Sequence, residues 1–162
     1  MARSLGVLIQ GAGWVSTQHI KAFQNNPYTH VVAISSRKLE SAKKRAQEAN
    51  LKDVFVTTDY DKALKRDDVD IVSVCTPAHL HAENAITAAR AGKHIVIEKP
   101  VANSIRDMKR MRDAVRKAKV KTVVSFVLRW NPLFETVKSM IADDALGEIQ
   151  YIEADYQHNI AS

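Results

Sequence analysis

An apolar run at residues 6–9 passes directly into Gly11-Ala12-Gly13-Trp14-Val15-Ser16. A strand that turns this tightly into a helix needs backbone without a Cβ in the way, and the first amides of that helix have no intrahelical acceptor. Such amides, aligned with the helix dipole, bind anions. A strand, a glycine turn and a helix in this order therefore predict a site for the diphosphate of a dinucleotide, walled by Gly11, Gly13, Trp14 and Val15. The third position of the glycine fingerprint is Ser16, small enough for close packing but a departure from Gly or Ala.

Downstream, short β-branched runs at residues 31–35, 54–56, 71–75, 95–97 and 123–128 alternate with helical patterns. Continuous rather than alternating apolarity marks strands covered on both faces. Six strands with intervening helices predict an α/β fold, a doubly wound and mainly parallel sheet of Rossmann type. Leu39, Ala42, Ala46 and Ala49 share one helical face, with Lys43, Lys44, Arg45 and Glu48 on the other. Ala85, Ala88 and Ala89 allow close packing before the stop at Gly92. Ile105, Met108, Met111, Val115 and Ala118 recur beneath a basic stripe, and Leu133, Val137, Met140 and Ile141 follow an Asn131-Pro132 helix start. A last run, residues 149–156, has strand-like alternation but no sheet to join, and an unpaired strand of this kind is a route to homo-oligomers.

The net charge of +6 raises the question of nucleic acid. Much of the excess lies on Arg106, Lys109, Arg110, Arg112, Arg116, Lys117 and Lys119, the wet side of one helix without interleaved aromatics, so no nucleic-acid partner is expected. No run approaches the ~20 apolar residues that cross a bilayer, which argues against a membrane partner. One cysteine and no signal-peptide pattern lead to a cytoplasmic expectation.

Three strand ends carry candidate chemistry. The second strand closes on Ser35-Ser36-Arg37, where a carboxylate for the ribose hydroxyls of NAD would be usual. Hydroxyls and a guanidinium suit a 2′-phosphate better, so NADP is favoured over NAD, with Ser36 as a cap and Arg37 as a solvated side chain the alternative. The fourth strand leads into Thr76-Pro77-Ala78-His79-Leu80-His81. Thr76 and Pro77 should border the cofactor, the histidine spacing fits no metal site, and His81 reads from its position as a local cap or packing residue. The fifth strand ends in Glu98-Lys99-Pro100. A lysine near an oxidised nicotinamide is suited to moving a proton, and Pro100 can fix the turn, in cis if required. The other histidines, at positions 19, 30, 94 and 158, are scattered in sequence and suggest no nucleophilic triad.

Gly11-Ala12-Gly13 with His19, Ser36-Arg37, Thr76-Pro77 with His81, Ala91-Gly92-Lys93-His94, Glu98-Lys99-Pro100 and Arg129-Asn131-Pro132 together resemble the glucose-fructose oxidoreductase and inositol dehydrogenase (Gfo/Idh/MocA) family. The resemblance implies an NAD(P)-dependent oxidoreductase acting on a sugar, polyol, inositol or related carbonyl compound. It implies that Lys99 is the active-site lysine, that Glu98 sits near the nicotinamide ribose with His81 also on the cofactor side, and that Arg129 and Asn131 line the crevice. It further implies a cofactor-binding domain over residues 1–147 and, over 148–162, the start of a substrate domain, so that this chain alone would not turn over. The competing expectation is a non-catalytic nucleotide-binding or sensing module.

Overall fold

The computed structural model describes residues 3–155 and 157 and divides the chain into two compact units, Met1–Ser125 and Phe126–Ser162. The first carries β1 (Leu5–Gln10), α1 (Trp14–Asn25), β2 (Thr29–Ser35), α2 (Leu39–Glu48), β3 (Phe55–Thr57), α3 (Tyr60–Leu64), β4 (Ile71–Val74), α4 (Ala78–Arg90), β5 (His94–Ile97), α5 (Ile105–Ala118) and β6 (Thr122–Val124). All strand pairs are parallel, in the order β3-β2-β1-β4-β5-β6. This is the expected doubly wound sheet, and its strand order reverses between β1 and β4.

Central β1 shows why its run is apolar without alternation. Val7 and Ile9 face Ile20 of α1 and Ala42 and Ala46 of α2, while Leu8 faces the opposite layer with Val72, Val74, Ile95, Ile97 and the α4 alanines. All three side chains of β1 are fully buried, each worth about 1.5–3 kcal/mol over exposure. The small Ala85, Ala88 and Ala89 bring α4 close to the sheet, and Gly92 ends that helix region at φ 73°.

Several expectations need correction. The α5 face is only partly core: Met111, Val115 and Ala118 pack inward, but Ile105 and Met108, on the first turns of the helix, are exposed. The sixth strand stops at Val124, and residues Val127–Trp130 form a 3₁₀ turn instead of continuing it. The first compact unit closes just after this strand, at Ser125.

In the second unit, Asn131 caps α6 (Pro132–Ala142) by accepting from the Leu133 amide at 2.9 Å, with Pro132 at the first helical position as expected. Its apolar face of Leu133, Val137, Met140 and Ile141 is exposed rather than buried. Residues 149–155 form no strand, since a lone strand has no ladder to satisfy its backbone, and Tyr156 lies outside the described residues.

Candidate functional site

The sheet register gathers the predicted residues. Gln10 pairs with Ser35 on one side and Val74 on the other, Val74 with Ile97, and Ile97 with Val124. Each strand therefore ends on the same row, and the next residues, Gly11, Ser36, Cys75, Glu98 and Ser125, form one rim. From Ser36 to Glu98 this rim crosses three strand spacings, about 14 Å. It straddles the strand-order reversal, where open α/β sheets bind ligands.

Gly11 is held at φ +103°, and a Cβ there would lie 2.7 Å from the Cys75 carbonyl oxygen and 2.9 Å from the Thr76 nitrogen. Only glycine permits β1 and the β4 loop to approach this closely. Gly13 differs: it is the N-cap of α1 with ordinary backbone angles, it supplies no side-chain cap, and a Cβ on it would meet open space. That open cradle, fronting the uncapped amides of Trp14 and Val15, fits a diphosphate. Ser16, at the departing third position, is fully buried and donates its hydroxyl to the Gly13 carbonyl at 2.6 Å. The serine thus strengthens the turn that it had been expected merely to fit.

Arg45 was assigned to the solvent face of α2, and the structure corrects this. Its guanidinium folds inward, 16% exposed, donating toward the carbonyls of Ala12 (3.4 Å) and Gly13 (3.3 Å) while pairing with Glu48 at 2.7 Å. It braces the back of the turn. A face assignment from helical period could not find it, because a long side chain can reach along the layer.

At the end of β2, Ser36 does not cap the next helix; Lys38 is the N-cap, without a side-chain bond. Among the described residues nothing engages the side chains of Ser36 or Arg37, and Arg37 is exposed. Both groups are free to meet a phosphate. At the end of β4, Thr76 accepts from Asn84 Nδ2 at 2.9 Å and Pro77 is the exposed N-cap of α4. His81 is the local packing residue that its position suggested and not the cofactor contact that the resemblance implied: it is 1% exposed, with Nδ1 and Nε2 each 2.7 Å from a carbonyl oxygen, those of Pro100 and Thr76. Its ring has no free polar edge for a ligand and ties the β4 loop to the lysine loop.

Lys99 is exposed at the rim beyond β5, and its bond to Pro100 is cis. The preceding Glu98 turns inward, where its Oε1 lies 2.9 Å from His19 Nε2 and its Oε2 accepts the Lys99 amide at 3.3 Å. Burial alone would raise the Glu98 pKa, but hydrogen bonds from Ser125, His19 and the Lys99 amide outweigh it and hold the carboxyl below its ordinary value. His19 Nδ1 lies 2.8 Å from Ser73 Oγ, which is 3.6 Å from Cys75 Sγ. Burial pushes the Cys75 thiol up to about 12, so it stays protonated. Histidine 19, scattered in sequence, is therefore joined in space to a serine and a carboxylate, yet Ser73 is fully buried and no substrate could reach it. Arg129 and Asn131 belong to the second unit. There Arg129 stacks 5.7 Å from the Trp130 ring centre and helps line a surface groove with Phe134 and Lys138, while Asn131 serves as the helix cap.

The family described as "Oxidoreductase family, NAD-binding Rossmann fold" matches residues 5–126. The chain is 34% identical over 160 residues to levoglucosan dehydrogenase of Pseudarthrobacter phenanthrenivorans, covering 95% of this chain and 41% of that protein. It is 33% identical over 151 residues to 4-carboxy-2-hydroxymuconate-6-semialdehyde dehydrogenase of a Sphingobium species, covering 93% and 46%. Among solved structures, a 3-ketoreductase from Actinomadura kijaniata in complex with TDP-benzene and NADP superposes with a TM-score of 0.83 at 30% identity, over 91% of this chain and 46% of that one. The chain thus spans less than half the length of these relatives.

Proposed function

The chain belongs to the Gfo/Idh/MocA oxidoreductase family as its NAD-binding Rossmann domain, and from that premise we propose that it forms the cofactor half of an enzyme passing hydride between NADP(H) and a sugar, polyol, inositol or related carbonyl compound. The observation that carries this reading is the common row of strand ends. It sets an open glycine turn, an uncommitted Ser36-Arg37 pair and an exposed Lys99 along one edge of the sheet.

When bound, the nicotinamide supplies or accepts the hydride. The Trp14 and Val15 amides take the diphosphate, with Arg45 fixing the turn from behind. Arg37 and Ser36 take the adenosine 2′-phosphate, the basis for favouring NADP over NAD. Thr76 and Pro77, beyond β4, border the cofactor between the diphosphate turn and Lys99. Lys99 places its ammonium on the substrate oxygen, donating a proton as a carbonyl is reduced and receiving it in the reverse direction. Glu98 acts through the lysine loop, and Arg129 and Asn131 are assigned to the substrate side. We place residues 148–162 at the start of the substrate domain and the protein in the cytoplasm, the latter supported by its single buried cysteine. No helix of the described residues is long and apolar enough to cross a membrane.

The test is equilibrium titration of a Trp130→Phe form with NADPH and NADH, following energy transfer from Trp14, which is 76% exposed beside the turn. Saturable binding with NADPH preferred supports the reading. Absence of binding to either nucleotide refutes it.

A further inference from the structure

Resting on that reading, we propose that His19 is a positioning residue that couples occupancy of the glycine turn to the backbone of Lys99. The two candidate sites lie on different elements, and one buried chain of hydrogen bonds joins them. His19 sits on α1, five residues past Trp14, about 7.5 Å along a rigid helix from the diphosphate amides. Its Nε2 meets Glu98 Oε1 at 2.9 Å, and the other oxygen of that carboxylate receives the Lys99 peptide N–H at 3.3 Å.

The direction of these bonds follows from the partners. Glu98 is an ionised acceptor, so Nε2 carries the imidazole proton. In that tautomer Nδ1 is an acceptor, and the Ser73 hydroxyl at 2.8 Å donates to it. The Cys75 thiol, protonated, donates in turn to Ser73 Oγ at 3.6 Å. Thiol, hydroxyl and imidazole thus point their hydrogens one way, toward the Glu98 carboxylate, and no polar atom in this line is left over. The Ser125 hydroxyl and the Lys99 amide approach the same carboxylate.

None of these groups is placed for chemistry of its own. Ser73 is fully buried, and His19 and Glu98 are each 9% exposed. Packing alone is a poor explanation, since a buried carboxylate and imidazole cost desolvation that apolar side chains of similar size would avoid. What the line achieves is a fixed length between α1 and the residue before the lysine. When an anion draws the first turn of α1 toward it, the shift passes through the side chains of His19 and Glu98 to the Lys99 peptide. The effect is a coupling between two sites through a defined contact.

The test uses ADP, which fills the adenosine and diphosphate positions but has no nicotinamide to cover Lys99 directly. Hydrogen exchange of the Lys99 amide is measured by NMR with and without saturating ADP. In the unaltered chain ADP slows this exchange by a factor on the order of 5–50. His19→Gln, whose amide reaches the position of Nε2 and can still donate to Glu98, keeps most of that effect. His19→Asn, which reaches only the position of Nδ1, binds ADP but loses the effect. Should His19→Asn fail to fold, His19→Leu supplies the same test, because it keeps an apolar side chain of similar size and has no donor for Glu98. If ADP binds and slows the exchange equally with and without the His19–Glu98 contact, the coupling is overturned while the nucleotide reading stands. If the unaltered chain does not bind ADP at all, both are overturned.

Discussion

Two glycines of one motif should fail for different reasons when replaced by alanine. At Gly13 the backbone sits at φ −72° and ψ 179°, open to any residue, and the new methyl meets no protein atom within 4 Å. Alanine is a poorer N-cap than glycine by about 0.5–1 kcal/mol. It also removes unfolded-state freedom worth about 0.4–1 kcal/mol in the opposite sense. Stability should therefore change by less than about 1 kcal/mol. The methyl does, however, occupy the space before the Trp14 and Val15 amides. Losing one charge-assisted bond costs about 1.5–3 kcal/mol, a roughly 10- to 100-fold weaker Kd for NADPH. At Gly11, by contrast, alanine meets both a left-handed φ and backbone atoms of Cys75 and Thr76 under 3.0 Å away. Strain of about 1–3 kcal/mol and overpacking of about 1–3 kcal/mol add to roughly 2–6 kcal/mol. That is a large share of a typical domain's ~5–15 kcal/mol and should lower Tm by roughly 5–25 °C. Thermal melts and calorimetric titration with NADPH separate the two outcomes. A Gly13→Ala chain that binds NADPH like the unaltered one, or that melts as early as Gly11→Ala, would refute this reasoning.

Three further outcomes follow from the same geometry. Arg37→Ala should weaken NADPH by roughly 10- to 100-fold while leaving NADH nearly unchanged, because only the 2′-phosphate loses its charge-assisted partner; parallel titrations check it. The Glu98 carboxyl is held below its ordinary 4.5, so its contribution to stability is complete above that pH and is lost as pH falls below it toward the folded-state value; Glu98→Gln should therefore flatten the acid limb of a denaturation profile. In a polypeptide that also carries the substrate side, Lys99→Ala should cut turnover ~10²–10⁴-fold, as expected for loss of a proton donor, with cofactor Kd nearly intact.

Much of the first unit was legible because its signals are local. A continuous apolar run, a glycine turn and a charged pair breaking out of a strand each report on their own neighbourhood, and parallel pairing then brings the ends of β1, β2, β4 and β5 abreast. What could not be read depends on long-range contact. His19 and Glu98 are 79 residues apart, and nothing around either one names the other. Arg45 has the spacing of a surface residue, and only the reach of its side chain places it behind Gly13. His81 belongs to the motif region, but the two carbonyls that occupy its ring become visible only once the Pro100 turn folds back. The apolar face of α6 shows the opposite limit. Its periodicity is correct, yet period alone does not say whether anything covers it.

The central claim is that the amides opening α1 bind the diphosphate of a nicotinamide dinucleotide on the same rim that carries Lys99. The most direct measurement is a titration of the ¹⁵N-labelled chain with NADP, following each backbone amide. The account predicts saturable shifts at Gly13, Trp14 and Val15, with accompanying changes at Ser36, Arg37 and Lys99. Shifts confined to the basic face of α5, or none at all along the rim, would contradict it.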